Sequence, residues 1–136
     1  MKDSELKTRL CEILGSIPGF EWSTTAAYGA DSIGVWFGRI GDVPDRAVGV
    51  RLYGGSDDDD LKARKAQIWV RGARGERDSA DDIADAVFAR FNNLSREGGV
   101  LGIRRESMSD HGADDNDRDQ RSENYTITLD NEEALQ

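Results

Sequence analysis

The stretch SADDIADAVFARFNNL, residues 79–94, decides the fold. Its apolar residues recur at spacings of three and four, the period of a helix with one buried side. They are Ala80, Ile83, Ala84, Val87, Phe88, Phe91 and Leu94. Asp81 and Asp82 lie in the first turn, where carboxylates favour the positive end of the helix dipole. The stretch predicts an amphipathic helix that begins at Asp78 or Ser79 and lies on a second layer.

Alternating residues on both sides of this helix predict the strands that it covers. Upstream, residues 47–53 and 65–71 alternate between apolar and polar side chains, which is typical of half-buried strands. The acidic segment 54–60 between them predicts a polar turn, so the two strands form an antiparallel hairpin. Downstream, strands are predicted over residues 100–109 and 125–130.

The N-terminal part predicts a second helix, followed by short or bent strands. The helix has an apolar stripe and ends near Gly15, before Pro18 and Gly19. Residues 20–39 are aromatic and β-branched but interrupted by glycines. The predicted order is α-β-β-β-α-β-β, which indicates an α+β two-layer sandwich of a mostly antiparallel sheet with two helices packed on it.

Size and charge exclude several classes of protein. A chain of 136 residues that is 37% hydrophobic fills one core, so a single domain over residues 1–136 is predicted, with a frayed tail at 131–136. No segment reaches the roughly 18 apolar residues of a membrane helix, and the N-terminus does not resemble a signal peptide. We therefore expect a soluble chain made in the cytoplasm and no membrane partner. The net charge of −9 opposes nonspecific binding to nucleic acid.

No residue pattern predicts catalysis, a cofactor or a metal. The one histidine, His111, lies among aspartates in a polar segment and is read as a solvated loop residue. Residues 115–119 alternate oxygen ligands like a calcium loop, but Gln120 replaces the required glycine and Thr126 the required glutamate. An enzyme would need an active site built on His111, and no such site can be constructed from the sequence. The single cysteine, Cys11, cannot form an internal disulfide.

One arrangement of motifs is more specific, and it covers roughly residues 47 to 130. Its parts are the strand QIWVRG at 67–72, the helical segment DDIADAV at 81–87, the chain from Gly98 onward, Gly112-x-Asp114-x-x-x-Arg118, and Ser122-x-Asn124-Tyr125-Thr126-Ile127. This order resembles the small minor capsid or tail terminator proteins of long-tailed, siphovirus-type bacteriophages. Asp117 departs from the pattern, because a glycine is expected before the arginine.

The resemblance implies a structural virion protein without chemistry. It implies a hexameric ring at the head-proximal end of the tail, which ends growth of the tube and joins the tail to head-completion proteins. Its partners would be other copies of the chain, the tail tube protein and a connector protein. Exposed strand edges invite contacts between subunits, and an acidic lumen lets DNA pass without specific binding.

Two acidic segments are the candidates for subunit contacts. One is the predicted turn with Asp57, Asp58, Asp59 and Asp60. The other is a long charged loop predicted over residues 110–123, with Asp114, Asp115, Arg118 and Arg121 as the contact residues. Loops longer than about 12 residues in a compact domain are usually functional or disordered. The alternative is that both segments are merely solvated.

Two other functions stay open at this point. A head-closure or head-tail adaptor subunit differs from a tail terminator only in its docking partner. A small acidic cytosolic binding or regulatory protein, which would mimic nucleic acid or neutralise a basic partner, is supported by the net charge alone.

Overall fold

The computed structural model describes residues 1–25, 27–58 and 60–130, so the predicted frayed tail at 131–136 lies outside the described residues. These described residues contain two helices, α1 over Asp3–Gly15 and α2 over Ser79–Asn92. The strands are β1 Phe20–Trp22, β2 Ile33–Phe37, β3 Ala47–Asp57, β4 Leu61–Arg74, β5 Val100–Ala113 and β6 Arg118–Asp130.

These strands form one sheet in the order β1-β2-β3-β4-β6-β5. The first three are parallel to one another, and the pairs β3–β4, β4–β6 and β5–β6 are antiparallel. The predicted α+β class with a mostly antiparallel sheet is confirmed. The order differs by one strand, because residues 20–39 form two short strands where the predicted order contained one.

Both helices pack on the same face of the sheet. The alternation of β4 and β6 directs Ile68, Val70 and Ile127 into the core that this face shares with the two helices. The Phe91 ring of α2 meets the Tyr125 ring of β6 edge to face, with centroids 5.1 Å apart. The opposite face carries no helix from the described part of the chain and is called the open face below.

The predicted loop over residues 110–123 is wrong. β5 continues to Ala113 and β6 begins at Arg118, so only residues 114–117 form a turn. The strand pattern is hidden because polar side chains occupy both faces here, with Arg121 and Glu123 on the helix side. The predicted turn at 54–60 is likewise too long, since β3 pairs with β4 as far as Asp57 and Lys62.

Candidate functional site

Arg118, one of the predicted contact residues, is the centre of an ion-pair network at one end of the sheet. Its side chain is only 4% exposed, and its three nitrogens reach three carboxylates. The Nη2, Nη1 and Nε atoms lie 3.1 Å from Asp42, 3.2 Å from Asp45 and 2.9 Å from Asp114. Arg118 therefore ties the segment 38–46 to the turn between β5 and β6.

The turn itself is closed by Asp114. Its Oδ1 atom accepts hydrogen bonds from the backbone N–H groups of Asn116 at 2.9 Å and Arg118 at 3.0 Å. Asp117 adopts a left-handed φ of 57°, which an aspartate tolerates better than most residues, and so replaces the expected glycine. Partial burial works to raise the pKa of Asp114, but the donors from Arg118 and Asn116 outweigh it, and the pKa is lowered.

Arg121 is also used within the subunit. Its guanidinium lies 2.9 Å from Asp81 on α2 and 2.7 Å from the Glu123 carboxylate. Glu123 is fully buried and also accepts a hydrogen bond of 2.7 Å from the Tyr125 hydroxyl and one of 3.3 Å from Arg105. The network holds β6 against α2, because a buried carboxylate needs such partners.

The other predicted contact residues are placed differently. Asp57, Asp58, Asp60 and Asp115 are exposed, and Asp59 lies outside the described residues. Asp57 forms an ion pair of 2.8 Å with Arg64, which also binds Asp3 at 2.7 Å. A role of these aspartates in subunit contact stays a prediction.

His111 is exposed to solvent, as predicted, but it lies in β5 on the open face and not in a loop. Its ring stacks on Trp69 at a centroid distance of 4.3 Å, and its Nε2 atom lies 2.8 Å from the Ser122 hydroxyl. The Trp69 indole N–H donates to Gln120 at 2.8 Å. Within residues 1–25, 27–58 and 60–130, no carboxylate binds His111 to orient it as a catalytic base would require.

Beside this stack the open face contains a groove of about 590 Å³, lined among others by Arg39, Ile40, Arg51 and Trp69. The segment 38–46 forms one wall, because it crosses β3 at Gly49. A Cβ atom on Gly49 would lie only 2.8 Å from the Ile40 side chain and 2.9 Å from the Gly38 carbonyl oxygen.

The buried guanidinium of Arg71 holds this wall in place. It donates at 2.8 Å to the carbonyl oxygens of Gly41, Pro44 and Asp45. Sequence reasoning missed the groove, although the alternation of Gln67, Trp69 and Arg71 with core residues could have indicated a polar and aromatic face.

Across the described part of the chain, no group of three or more His, Cys, Asp or Glu side chains could hold a metal ion. Neither α1 nor any other described helix is long and apolar enough to cross a membrane.

Comparison with known proteins places this fold among phage proteins. Residues 14–131 match the model of a family described as bacteriophage tail terminator protein. A chain from the virion of a native gene transfer agent particle has a similar structure, with a TM-score of 0.58 and 12% sequence identity. The likeness covers 93% of this chain and 90% of that chain, and at such low identity it concerns the fold alone. No curated protein matches the sequence.

Proposed function

We propose that this chain, which belongs to the bacteriophage tail terminator family, forms a ring at the head-proximal end of a tail tube and ends its growth. The observation that carries the proposal is the family match, which spans residues 14–131 of 136. The chain is a structural component of the virion tail and not an enzyme. The proposal goes beyond the family match in three respects, namely the ring, its six subunits and its neighbouring proteins.

The proposed neighbours are the tail tube protein on one side and a head-completion or connector protein on the other. A ring in this place must let DNA through without holding it. The net charge of −9 supports that role, because like charges repel the phosphate backbone over a Debye length of ~10 Å.

The sheet leaves two outer strands, β1 and β5, that could add a strand from a neighbour. β5 is the longer one, but its register shifts at three places, between Val100 and Gly102, Arg105 and Ser107, and Asp110 and Gly112. Such bulges interrupt the row of free backbone groups that strand addition requires. We therefore expect subunits to meet through side chains of their faces and turns.

Negative-stain microscopy of tail tubes, assembled with and without the purified chain, tests the proposal. Tubes that grow to variable lengths alone should acquire a ring at one end and stop growing when the chain is present. Tubes that keep both ends bare and continue to grow would contradict the proposal. If the chain bound an isolated connector complex but never a tube, the adaptor function would replace it.

Binding measured at increasing salt concentrations distinguishes the tail terminator from the alternative of a small acidic regulatory protein. A protein that only neutralises a basic partner would bind at low salt and be released at moderate salt. A ring held at the tube by packed faces should stay bound under the same conditions.

A further inference from the structure

Two arginines on the open face have no partner among the described residues, although the chain is rich in carboxylates. Most other cations in the described residues bind a carboxylate or a carbonyl oxygen, as Arg118, Arg121 and Arg71 do. The side chains of Arg39 and Arg51 are exposed and make no hydrogen bond or ion pair with any described residue. Both line the groove beside Trp69.

The groove has the composition of a protein contact. Its wall and floor include the apolar Ile40 side chain, the bare backbone of Gly49 and the Trp69 indole, with arginines around them. Tryptophan and arginine are the residues most enriched at the energetic centres of protein interfaces. A concave surface of this kind fits a convex partner that carries negative charge.

The same chain presents such a partner surface on its other layer. Asp78, Asp82 and Asp85 are all exposed, and their spacings of four and three residues place them in one stripe along α2. The stripe is roughly 10 Å long at 1.5 Å per residue. None of the three carboxylates forms an ion pair within the described ranges, and like charges at this spacing repel one another.

We propose that the open face receives the acidic stripe of α2 from a second copy of the chain. The inference rests on the proposed ring and names its contact. Because the two surfaces differ and lie on opposite layers, the contact is head-to-tail, the type that generates closed rings when the rotation between subunits closes. Arg39 and Arg51 then bind Asp82 and Asp85 of the neighbour, and the α2 ridge covers Trp69.

Duplex DNA is the less fitting occupant. Proteins that bind DNA through its backbone commonly neutralise about 6–10 phosphates, whereas the groove offers only two cations without a partner among the described residues, Arg39 and Arg51. The chain as a whole is also acidic. A protein ridge with a few carboxylates matches both the small number of cations and the apolar floor.

Charge reversal in pairs tests the contact. The variant Arg39→Glu/Arg51→Glu and the variant Asp82→Lys/Asp85→Lys should each raise the concentration needed for half-maximal assembly by at least about 100-fold, since like charges then face each other. An equimolar mixture of the two variants should assemble again, because every contact in it pairs opposite charges. Native mass spectrometry and light scattering would measure assembly, and circular dichroism would confirm that each variant is folded.

Matched controls carry the same change in net charge at other places. Lys2→Glu/Arg96→Glu reverses two exposed cations away from the groove, and Glu5→Lys/Glu12→Lys reverses two carboxylates on one stripe of α1. Both should assemble like the wild type. If they fail as strongly as the test variants, net charge governs assembly and the specific contact is refuted.

The remaining outcomes separate the contact from the proposed function. Rings that survive both reversals, or variants that do not recover on mixing, would overturn the contact while tube capping by the wild type leaves the function in place. A wild-type chain that neither assembles nor caps tubes would contradict both. Binding of duplex DNA by the wild type that the Arg39→Glu/Arg51→Glu variant loses would replace the second copy with nucleic acid.

Discussion

The turn between β5 and β6 and the turn between β3 and β4 lie at opposite ends of the sheet, and both are rich in aspartate. In the first turn the Asp114 carboxylate binds two backbone N–H groups and the buried Arg118. In the second turn Asp57 binds the mostly buried Arg64, and Asp60 is exposed. Arg118 and two backbone groups therefore fix Asp114 within the fold, whereas in the second turn Arg64 binds Asp57 but not the exposed Asp60, which is left available to a partner.

Substitutions in the core under the covered face of the sheet should have the largest effect on stability, against which the effects in the two turns can be compared. Phe91→Ala should lower the free energy of unfolding by about 3–5 kcal/mol, because its buried ring packs on Tyr125. Phe88 is only half-buried under Arg105, so Phe88→Ala should cost about 1–2 kcal/mol. Urea unfolding followed by circular dichroism would measure both. Equal costs would show that α2 is rotated relative to this packing.

Breaking the first turn should have the next largest effect. Arg118→Ala removes the shared partner of Asp42, Asp45 and Asp114, and should cost about 3 kcal/mol. The figure lies at the lower end for a buried pair because the carboxylates keep some contact with water. Asp115→Ala in the same turn is the control and should change stability by less than about 0.5 kcal/mol. A small cost for Arg118→Ala would mean that the network does not hold the turn.

The stability that the Arg118 network contributes should be lost at acidic pH. The pKa of Asp45 is lowered chiefly by its bond to Arg74, and that of Asp114 is lowered by its bonds to Arg118 and Asn116. The stabilisation is therefore complete above the ordinary pKa of 3.8 and disappears as the pH falls through the lower values of the folded chain.

Thermal unfolding between neutral pH and pH ~2 would measure this effect. The difference between wild type and Arg118→Ala should shrink below pH ~4. A difference that stays constant down to the lowest pH would exclude these carboxylates as its source.

Substitution of His111, which lies on the open face, should have a smaller effect on the free energy of unfolding. His111→Ala loses the stack on Trp69 and leaves the buried Ser122 hydroxyl without that partner, so a cost of about 1 kcal/mol is expected. Tube capping should be unchanged, because no chemistry is assigned to the imidazole. Loss of capping in a folded His111→Ala protein would indicate a functional role.

The second turn should show the smallest effect on stability. Asp57→Asn/Asp60→Asn should shift the free energy of unfolding by no more than about 0.5 kcal/mol, since both carboxylates are exposed and Arg64 keeps Asp3 as its partner. If the turn contacts a neighbour, as predicted from its charge, ring formation or tube capping should weaken at unchanged stability. Sedimentation velocity and the capping assay would measure both, with Glu5→Gln/Glu12→Gln on α1 as the control of equal charge change.

The helices and the main strands could be predicted because the spacing of their apolar residues shows which side faces the core. The stripe from Ala80 to Leu94 and the alternation around Val48 and Ile68 are local signals. The strands at 110–113 and 118–123 were missed because Arg121 and Glu123 are buried as an ion pair, and a buried charge looks like a loop residue in sequence. Pairing partners such as Asp81 come from a distant part of the chain.

The candidate site was predictable only in part, for the same reason. The sequence marks Arg118 and Arg121 as unusual but does not tell whether carboxylates of the same chain or of a neighbour bind them. The groove depends on the segment 38–46 crossing β3 at Gly49, which is a long-range contact without a local signature. Arg39 and Arg51 become notable only in the structure, where Arg71 of the same groove binds backbone carbonyl oxygens while these two arginines bind no described residue.

Cryo-electron microscopy of the assembled particle, with this chain located in the density, is the most direct test of its role in the tail. A single ring of this chain should lie between the last layer of the tail tube and the head-completion proteins. Density for the chain along the tube, at the distal tip or nowhere in the particle would contradict the proposed function.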